Sequence, residues 1–252
     1  MARLDTTTIE EIGVITLHNP PALNAWTQEM QRSMITALAG FESDPQVRAI
    51  VITGEGDRAF CAGQDLNEVA GFTEENVEEW LDTFRQVYDA VLSTTKPVIA
   101  ALNGVTAGSG YQLALLCDLR IAHPEVKIGQ PEVRSGIPSI TGMYLTWQSL
   151  GYSKTAELML TGRLLEAQEA HRLGLITEIT SQEEVFSRSL QVANDLAKLP
   201  RQAFRHTKRR VRATLMPGLE EAFEAALEID RQAYSDGEPQ QSANTFIAAK
   251  NS

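Results

Sequence analysis

The segment from Lys96 to Asp118, KPVIAALNGVTAGSGYQLALLCD, constrains the fold more than any other part of the chain. Residues 97–102 are an almost wholly apolar run that ends at an Asn-Gly pair, which is typical of a buried strand. Three glycines follow within seven residues, and apolar residues then recur at helical spacing from Gly108 onward. The segment therefore predicts a buried strand, a tight glycine-rich turn and a buried helix.

The turn and the start of this helix aim unpaired backbone N–H groups at one point. The glycines follow the pattern Gly104-x-x-x-Gly108-x-Gly110, so the segment is neither a dinucleotide fingerprint nor a Walker loop, which also requires a Lys-Ser or Lys-Thr pair. Two interpretations remain open for this segment alone: a site that holds a negatively charged oxygen, or a strand–helix turn with no ligand.

Composition excludes several classes of function. Among 252 residues, 43% are hydrophobic and 22% are charged, as in an ordinary soluble globular protein, and the formal net charge of −11 argues against a nucleic-acid partner. No apolar run approaches the roughly 20 residues that span a bilayer, and the N-terminus lacks the apolar region of a signal peptide. Cys61 and Cys117 lie beside apolar runs and are expected to be reduced, and the four histidines have no metal-ligand spacing. We expect a cytoplasmic protein without a metal or a membrane partner.

The order of the predicted elements indicates an α/β fold. Residues 3–18 predict a hairpin, Thr27 the N-cap of a helix that runs to about residue 41, and residues 48–53 a buried strand. A loop over 58–66, a helix over 73–92 and short strands over 119–122 and 126–129 surround the central segment. Beyond Thr141, the pattern predicts helices over 141–150, 153–161, 166–173, 183–198, 201–214 and 218–235, with one strand over 175–179. The polar tail after Gly237 is expected to be loosely ordered.

Two loops, each following a buried strand, carry small residues that allow close approach to the backbone. The first loop contains Ala59-Phe60-Cys61-Ala62-Gly63, and the second contains Gly108-Ser109-Gly110. Each loop can supply one backbone N–H. Two convergent N–H donors form an oxyanion hole, which suits a thioester carbonyl whose negative charge grows as an enolate forms.

These motifs, with several others in the same order, resemble those of the crotonase (enoyl-CoA hydratase/isomerase) superfamily. The resemblance extends over nearly the whole chain, and several spaced motifs form a much stronger signal than any one of them. The matching segments are LHNPPALNA (17–25), GEGDRAFCAGQDL (54–66), residues 96–118, GQPE (129–132), LTG (160–162) and AHRLGL (170–175).

The resemblance implies a crotonase-like spiral core of ββα units and an α-helical C-terminal region that builds trimers, often dimers of trimers. We expect the core over residues 1–198 and the helical region over 199–252. The resemblance also implies an acyl-CoA thioester as the substrate, with CoA bound as part of that substrate and no separate cofactor. The expected assembly is a homotrimer or homohexamer.

The resemblance assigns the oxyanion donors to the backbone N–H groups of Ala62 and Ser109. The family usually has glycine where this chain has Ser109; since the donor belongs to the backbone, serine is acceptable at a negative φ. If the register differs by one residue, Gly110 is the second donor. The residues expected to bind the substrate or CoA are Leu23, Ala25, Ala62, Gly63, Gln64, Asp65, Leu66, Gly108 and Gly110.

The catalytic carboxylates of the family distinguish its reactions. Family hydratases use two glutamates, one on the central helix and one after the GQP run; here the second is Glu132, whereas the first position holds Gln112. An amide orients water but does not take its proton. One carboxylate is sufficient to move a double bond, so isomerisation through Glu132 is narrowly favoured. The alternatives are a hydratase or hydratase-lyase that uses water positioned by Gln112, and a non-catalytic acyl-CoA-binding or scaffold protein.

Two further groups of residues have simpler interpretations. The basic run 205–212 is either a solvated helix face, which we favour, or a contact for the CoA phosphates. Met30, Met34, Trp80 and Phe84 are interpreted as core residues.

Overall fold

The computed structural model describes residues 1–250 and contains two β-sheets surrounded by helices. The ten strands are β1 (Arg3–Ile9), β2 (Ile12–His18), β3 (Ala49–Gly54), β4 (Ala59–Cys61), β5 (Val98–Leu102), β6 (Val105–Ala107), β7 (Leu119–Ala122), β8 (Lys127–Gly129), β9 (Leu165–Glu166) and β10 (Glu178–Ile179).

Ten α-helices are found among the same residues. They are α1 (Gln28–Ser43), α2 (Leu66–Val69), α3 (Val77–Ser93), α4 (Ser109–Leu116), α5 (Thr141–Thr161), α6 (Ala167–Arg172), α7 (Val185–Ala197), α8 (Arg201–Ala213), α9 (Met216–Asp236) and α10 (Glu238–Lys250). A short 3-10 turn, Glu132–Ser135, lies between β8 and α5.

From β3 to β8, consecutive strands alternate between the two sheets, and this alternation makes the core a spiral. The six-stranded sheet has the order β1-β2-β3-β5-β7-β10, and the four-stranded sheet has the order β4-β6-β8-β9. In each of the pairs β3/β4, β5/β6 and β7/β8, the first strand therefore joins the large sheet and the second joins the small one. Strands β3, β5 and β7 pair in parallel, as do β4, β6 and β8. The predicted ββα spiral and its helical C-terminal region are confirmed.

The predicted hairpin, central segment and capped first helix are observed. Strands β1 and β2 pair antiparallel, from Arg3 opposite His18 to Ile9 opposite Ile12. The Thr27 hydroxyl accepts a hydrogen bond from the Met30 N–H at the start of α1, as expected of an N-cap. The two cysteines are free and buried.

The C-terminal tail differs from the expectation of loose order. Residues after Gly237 form helix α10, whose Ala243 is buried against an apolar cluster next to the cavity described below. The Gln240 side chain also donates hydrogen bonds to the backbone oxygens of Phe72 and Tyr234, both at 2.9 Å. Only two small buried residues, Pro239 and Ala243, and one amide are seen to hold this helix, so it has almost no apolar periodicity, and the sequence pattern missed it.

The two helices predicted over 141–150 and 153–161 are observed as the two parts of α5, which are separated by a non-helical residue, Gly151 (φ 71°, ψ 179°).

The basic run differs from expectation. In the basic run, Lys208 and Arg212 are buried and pair with Asp118. Arg212 also donates hydrogen bonds to the carbonyl oxygens of Val91, Leu92 and Thr94 at the end of α3. The favoured interpretation of the whole run as a solvated face is therefore wrong for these two residues, which join α8 to the core.

Candidate active site

A cavity lies between the strand–turn–helix segment and the C-terminal helix α9. One part of its wall is polar and includes Gln64, Ser109, Gln112, Glu132 and Thr141. The rest is largely apolar and is formed by Leu66, Val69, Trp80, Leu81, Phe84, Ile137, Ile140 and Ala226. The cavity thus offers a polar reaction centre next to an apolar chamber.

The turn between β6 and α4 requires glycine at position 108. Gly108 has φ 59° and ψ −133°, a conformation that L side chains rarely adopt. A β-carbon at this position would lie 2.9 Å from the Glu132 Oε1 atom. Only a residue without a side chain lets the Glu132 carboxyl group lie directly over the turn.

Ser109 is the first residue of α4, so its N–H is one of the helix's unpaired N-terminal donors. Its hydroxyl accepts a hydrogen bond from the Trp26 indole N–H at 2.9 Å. This bond accounts for a serine where the resembling family usually has glycine, because the hydroxyl is occupied by Trp26 and the backbone N–H stays unpaired at the cavity wall.

The hydrogen bonds of this loop leave the N–H of Gln64 unpaired, rather than that of Ala62, the first predicted donor. The Ala62 N–H donates to the Leu23 oxygen at 3.0 Å and is therefore already paired. Gln64 forms a parallel bridge with Trp26, in which Trp26 N–H donates to the Gly63 oxygen and Asp65 N–H donates to the Trp26 oxygen. In a parallel bridge, the central residue's own N–H points away from its partner strand. Among the described residues, the Gln64 N–H has no acceptor, and Gln64 lines the cavity.

The two loops approach each other closely. A β-carbon built on Gly63 would lie 3.5 Å from the Ser109 nitrogen and 3.6 Å from the Gly108 Cα. Gln64 and Ser109 are thus held on adjoining segments of the same cavity wall. Their two unpaired N–H groups form the candidate oxyanion hole.

Glu132 has the strongly perturbed carboxyl group expected of a catalytic acid or base. Burial raises the pKa of this carboxyl to about 8, although hydrogen bonds from its own backbone and from the Gln112 side chain oppose the increase. The Oε2 atom is buried without a hydrogen-bond partner among the described residues. Such a group exchanges protons readily near neutral pH.

Gln112 is held rigidly by two hydroxyl groups. Its Oε1 atom accepts hydrogen bonds from the Tyr88 hydroxyl and from the Thr141 hydroxyl, the latter at 2.9 Å. The side-chain oxygen is therefore saturated, and the remaining hydrogen-bonding capacity of the amide lies in its NH₂ group, which faces Glu132. Gln112 can orient a neighbouring group, but it has no carboxylate with which to take a proton.

Other residues predicted to bind the substrate have structural roles. A β-carbon on Gly110 would lie 2.2 Å from the Cys61 oxygen, so this glycine allows the helix to pack closely against β4. Asp65 is the N-cap of α2 and accepts a hydrogen bond from the Asn67 N–H. Leu23, Ala25, Asp65 and Gly110 do not line the cavity, whereas Ala62, Gly63, Gln64, Leu66 and Gly108 do.

Many of the residues that line the cavity were not assigned to the site from the sequence, among them Trp80, Phe84, Asp230 and Tyr234. Trp80 and Phe84, interpreted as core, are buried but face the apolar chamber. Asp230 and Tyr234 come from α9 and were not identified at all. A signal for Asp230 exists in the sequence, because a charged residue there interrupts the apolar stripe formed by Leu219, Ala222, Phe223, Ala226 and Tyr234.

Known proteins match the chain over almost its whole length. The enoyl-CoA hydratase/isomerase family model matches residues 7–251. A probable enoyl-CoA hydratase of Rhizobium meliloti is 32% identical over 95% of this chain and 92% of its own. A carboxymethylproline synthase of Pectobacterium carotovorum is 31% identical over 89% of this chain and 90% of its own.

The fold is also found in solved structures. An enoyl-CoA hydratase/isomerase from Mycobacterium paratuberculosis has a TM-score of 0.90 and 24% identity, and the match covers 97% of this chain and 98% of that one. The chain belongs to the enoyl-CoA hydratase/isomerase family and has the crotonase fold. The resemblance noted in the sequence is confirmed, and the family relation supports an acyl-CoA thioester as the substrate.

Proposed function

We propose that this protein is an enoyl-CoA isomerase that moves a double bond through a thioester enolate. The observation that carries the proposal is the pairing of Glu132 with an amide, Gln112, rather than with a second carboxylate. Hydration needs one group to activate water and another to donate a proton to the acyl chain. Isomerisation needs one group that takes a proton and returns it.

The thioester oxygen of the substrate binds between the N–H groups of Gln64 and Ser109. The Glu132 carboxylate removes a proton from C2 of a 3-enoyl-CoA, and the electron pair spreads into the thioester oxygen as the enolate forms. The two N–H groups stabilise that developing charge. Protonated Glu132 then donates its proton to C4, so that the double bond lies between C2 and C3 and the enzyme is unchanged.

Hydration or a lyase reaction is the second candidate. The Gln112 NH₂ group is directed at Glu132 and offers a position for a bound water, and a relative of 32% identity is named a probable hydratase. A relative of nearly the same identity is named a carboxymethylproline synthase, so similarity at this level leaves the reaction open. The chemistry of the glutamine therefore outweighs the names of the relatives in our proposal. Retention of Glu132 and of both loops argues against a non-catalytic scaffold protein.

The proposed base predicts a pH dependence. Glu132 acts as a carboxylate on 3-enoyl-CoA, and burial raises its pKa to about 8. The value of kcat/KM for isomerisation should therefore rise about tenfold per pH unit below 8 and level off above it. Stopped assays between pH 6 and 10, with circular dichroism at each pH as a control for folding, test this. A flat profile across pH 7–9 would contradict the assignment of the base.

We also propose a trimeric or hexameric assembly. Helix α5 leaves Met143, Trp147, Tyr152 and Leu160 exposed, with exposed fractions from 38% to 78%. A helix with this much uncovered apolar surface is typical of an interface. Sedimentation velocity at micromolar concentration should show a trimer or larger species. Trp147→Glu combined with Leu160→Glu should shift it toward monomer, whereas Ala39→Glu on the exposed face of α1 should not; a wild-type monomer would refute the proposal.

A further inference from the structure

A second buried carboxyl group lines the same cavity and is not used by the proposed reaction. Asp230 is only 4% exposed, and its Oδ1 atom has no hydrogen-bond partner among the described residues. Burial alone raises the pKa of this carboxyl to about 7. Tyr234, one turn further along α9, is 3% exposed, and its hydroxyl is also without a partner.

Asp230 and Tyr234 lie among apolar side chains, where unpaired polar groups destabilise the folded protein. The cavity wall around Asp230 and Tyr234 is formed by apolar and aromatic side chains: Val69, Trp80, Leu81, Ile137, Ile140 and Ala226. The Tyr234 ring packs edge-to-face against Trp80, with the ring centroids 6.3 Å apart. Buried polar groups in proteins are nearly always paired, because one left unpaired destabilises the folded state. Two such groups lie on one face of α9 at the cavity. They indicate that the cavity binds a ligand whose polar group forms hydrogen bonds with them.

Asp230 and Tyr234 belong to a different part of the cavity wall from the reaction centre. The Glu132 carboxyl group lies directly over the Gly108 turn, beside the candidate oxyanion hole. Tyr234 instead packs in the apolar cluster that contains Trp80, and Asp230 lies one turn before it on α9. A second catalytic carboxylate is therefore the poorer explanation for Asp230.

We propose that Asp230 and Tyr234 recognise a hydrogen-bond donor, a hydroxyl or ammonium group, carried by the acyl group at its end remote from the thioester. This inference rests on the proposed function only in taking an acyl-CoA as the ligand. A carboxylate accepts a hydrogen bond from either donor, and the tyrosine hydroxyl provides a second polar contact. An acyl chain with a plain methyl end would leave both groups unpaired and is expected to bind less well.

The test uses saturated acyl-CoA thioesters, which cannot isomerise, so binding is measured separately from the reaction. For each chain length from about four to eight carbons, three ligands of matched size end in a methyl, a hydroxyl or an amino group. Their dissociation constants are measured by titration calorimetry, with CoA alone as a control. One length should show at least a tenfold preference for a polar end, the effect of one charge-assisted hydrogen bond. Of the hydroxyl-ended and amino-ended ligands, the one with the lower dissociation constant identifies the donor group.

The variants separate recognition from packing. Asp230→Leu should abolish the polar preference and favour the methyl-ended ligand, and Tyr234→Phe should reduce the preference. Asp236→Asn, an exposed position on the same helix, is the matched control and should leave it unchanged. A wild type that prefers methyl-ended chains at every length, or a polar preference that survives Asp230→Leu, would overturn the inference. Failure of all acylated ligands to bind better than CoA alone would overturn the proposed acyl-CoA site as well.

Discussion

Replacing Glu132 with glutamine should lower kcat for 3-enoyl-CoA isomerisation by about 10²–10⁴-fold, the usual contribution of a general acid–base group. The substitution keeps the size of the side chain and removes only its ability to carry a proton. The carboxyl group lies over the Gly108 turn, next to the candidate oxyanion hole, and among the described residues that line the cavity only Asp230 also carries a carboxyl group. Steady-state kinetics on purified wild type and variant provide the measurement.

A second variant, Gln112→Glu, distinguishes isomerisation from hydration. Isomerisation does not need a carboxylate at this position, so the change should not raise the isomerisation rate. If the enzyme hydrates instead, a second carboxylate should increase a slow wild-type hydration. Binding of a saturated acyl-CoA by the Glu132→Gln variant controls for loss of the site itself. Isomerisation that continues at the wild-type rate in Glu132→Gln would mean that another group moves the proton.

Replacing Ser109 with proline should lower kcat by roughly 10²–10³-fold, the cost of one oxyanion donor. Ser109 is the first residue of α4, where a helix tolerates proline because that N–H has no helical partner. The substitution thus removes the proposed donor with little harm to the helix. Kinetics on 3-enoyl-CoA, together with a melting curve for each variant, measure this effect.

Ser109→Ala is the control for the hydroxyl group. It keeps the backbone N–H, so turnover should be nearly that of wild type. It also leaves the buried Trp26 indole N–H unpaired, and we expect the free energy of unfolding to fall by about 1–3 kcal/mol. Equal losses of turnover in Ser109→Pro and Ser109→Ala would show that the hydroxyl group, and not the backbone, acts on the substrate.

The sequence predicted the parts of the site that depend on local pattern. The apolar run, the glycines and the helix periodicity of residues 96–118 identified the turn and placed Ser109 and Gln112 on it. Ala62 was predicted as the first donor, but hydrogen bonds between distant loops decide which N–H group of residues 58–66 is unpaired. The Ala62 N–H is paired with the Leu23 oxygen, and no pattern within residues 58–66 reveals that bond.

The contribution of α9 to the cavity could not be predicted from the local sequence pattern. Trp80 and Phe84 follow the apolar stripe of α3, and the stripe is the same whether it faces core or cavity. Only the packing of α9 across this stripe closes the chamber and brings Asp230 into it. The polar helix α10 was missed for a related reason, since Ala243 and Gln240 hold it through long-range contacts.

A panel of substrates distinguishes isomerisation from hydration. Purified wild type is assayed with 3-enoyl-, 2-enoyl- and 3-hydroxyacyl-CoA thioesters of matched chains, each with a methyl and with a polar end, and products are followed by mass spectrometry. We predict that conversion of 3-enoyl- to 2-enoyl-CoA is the fastest reaction and is lost in Glu132→Gln. Fast hydration of 2-enoyl-CoA that survives Glu132→Gln, without comparable isomerisation, would contradict the account.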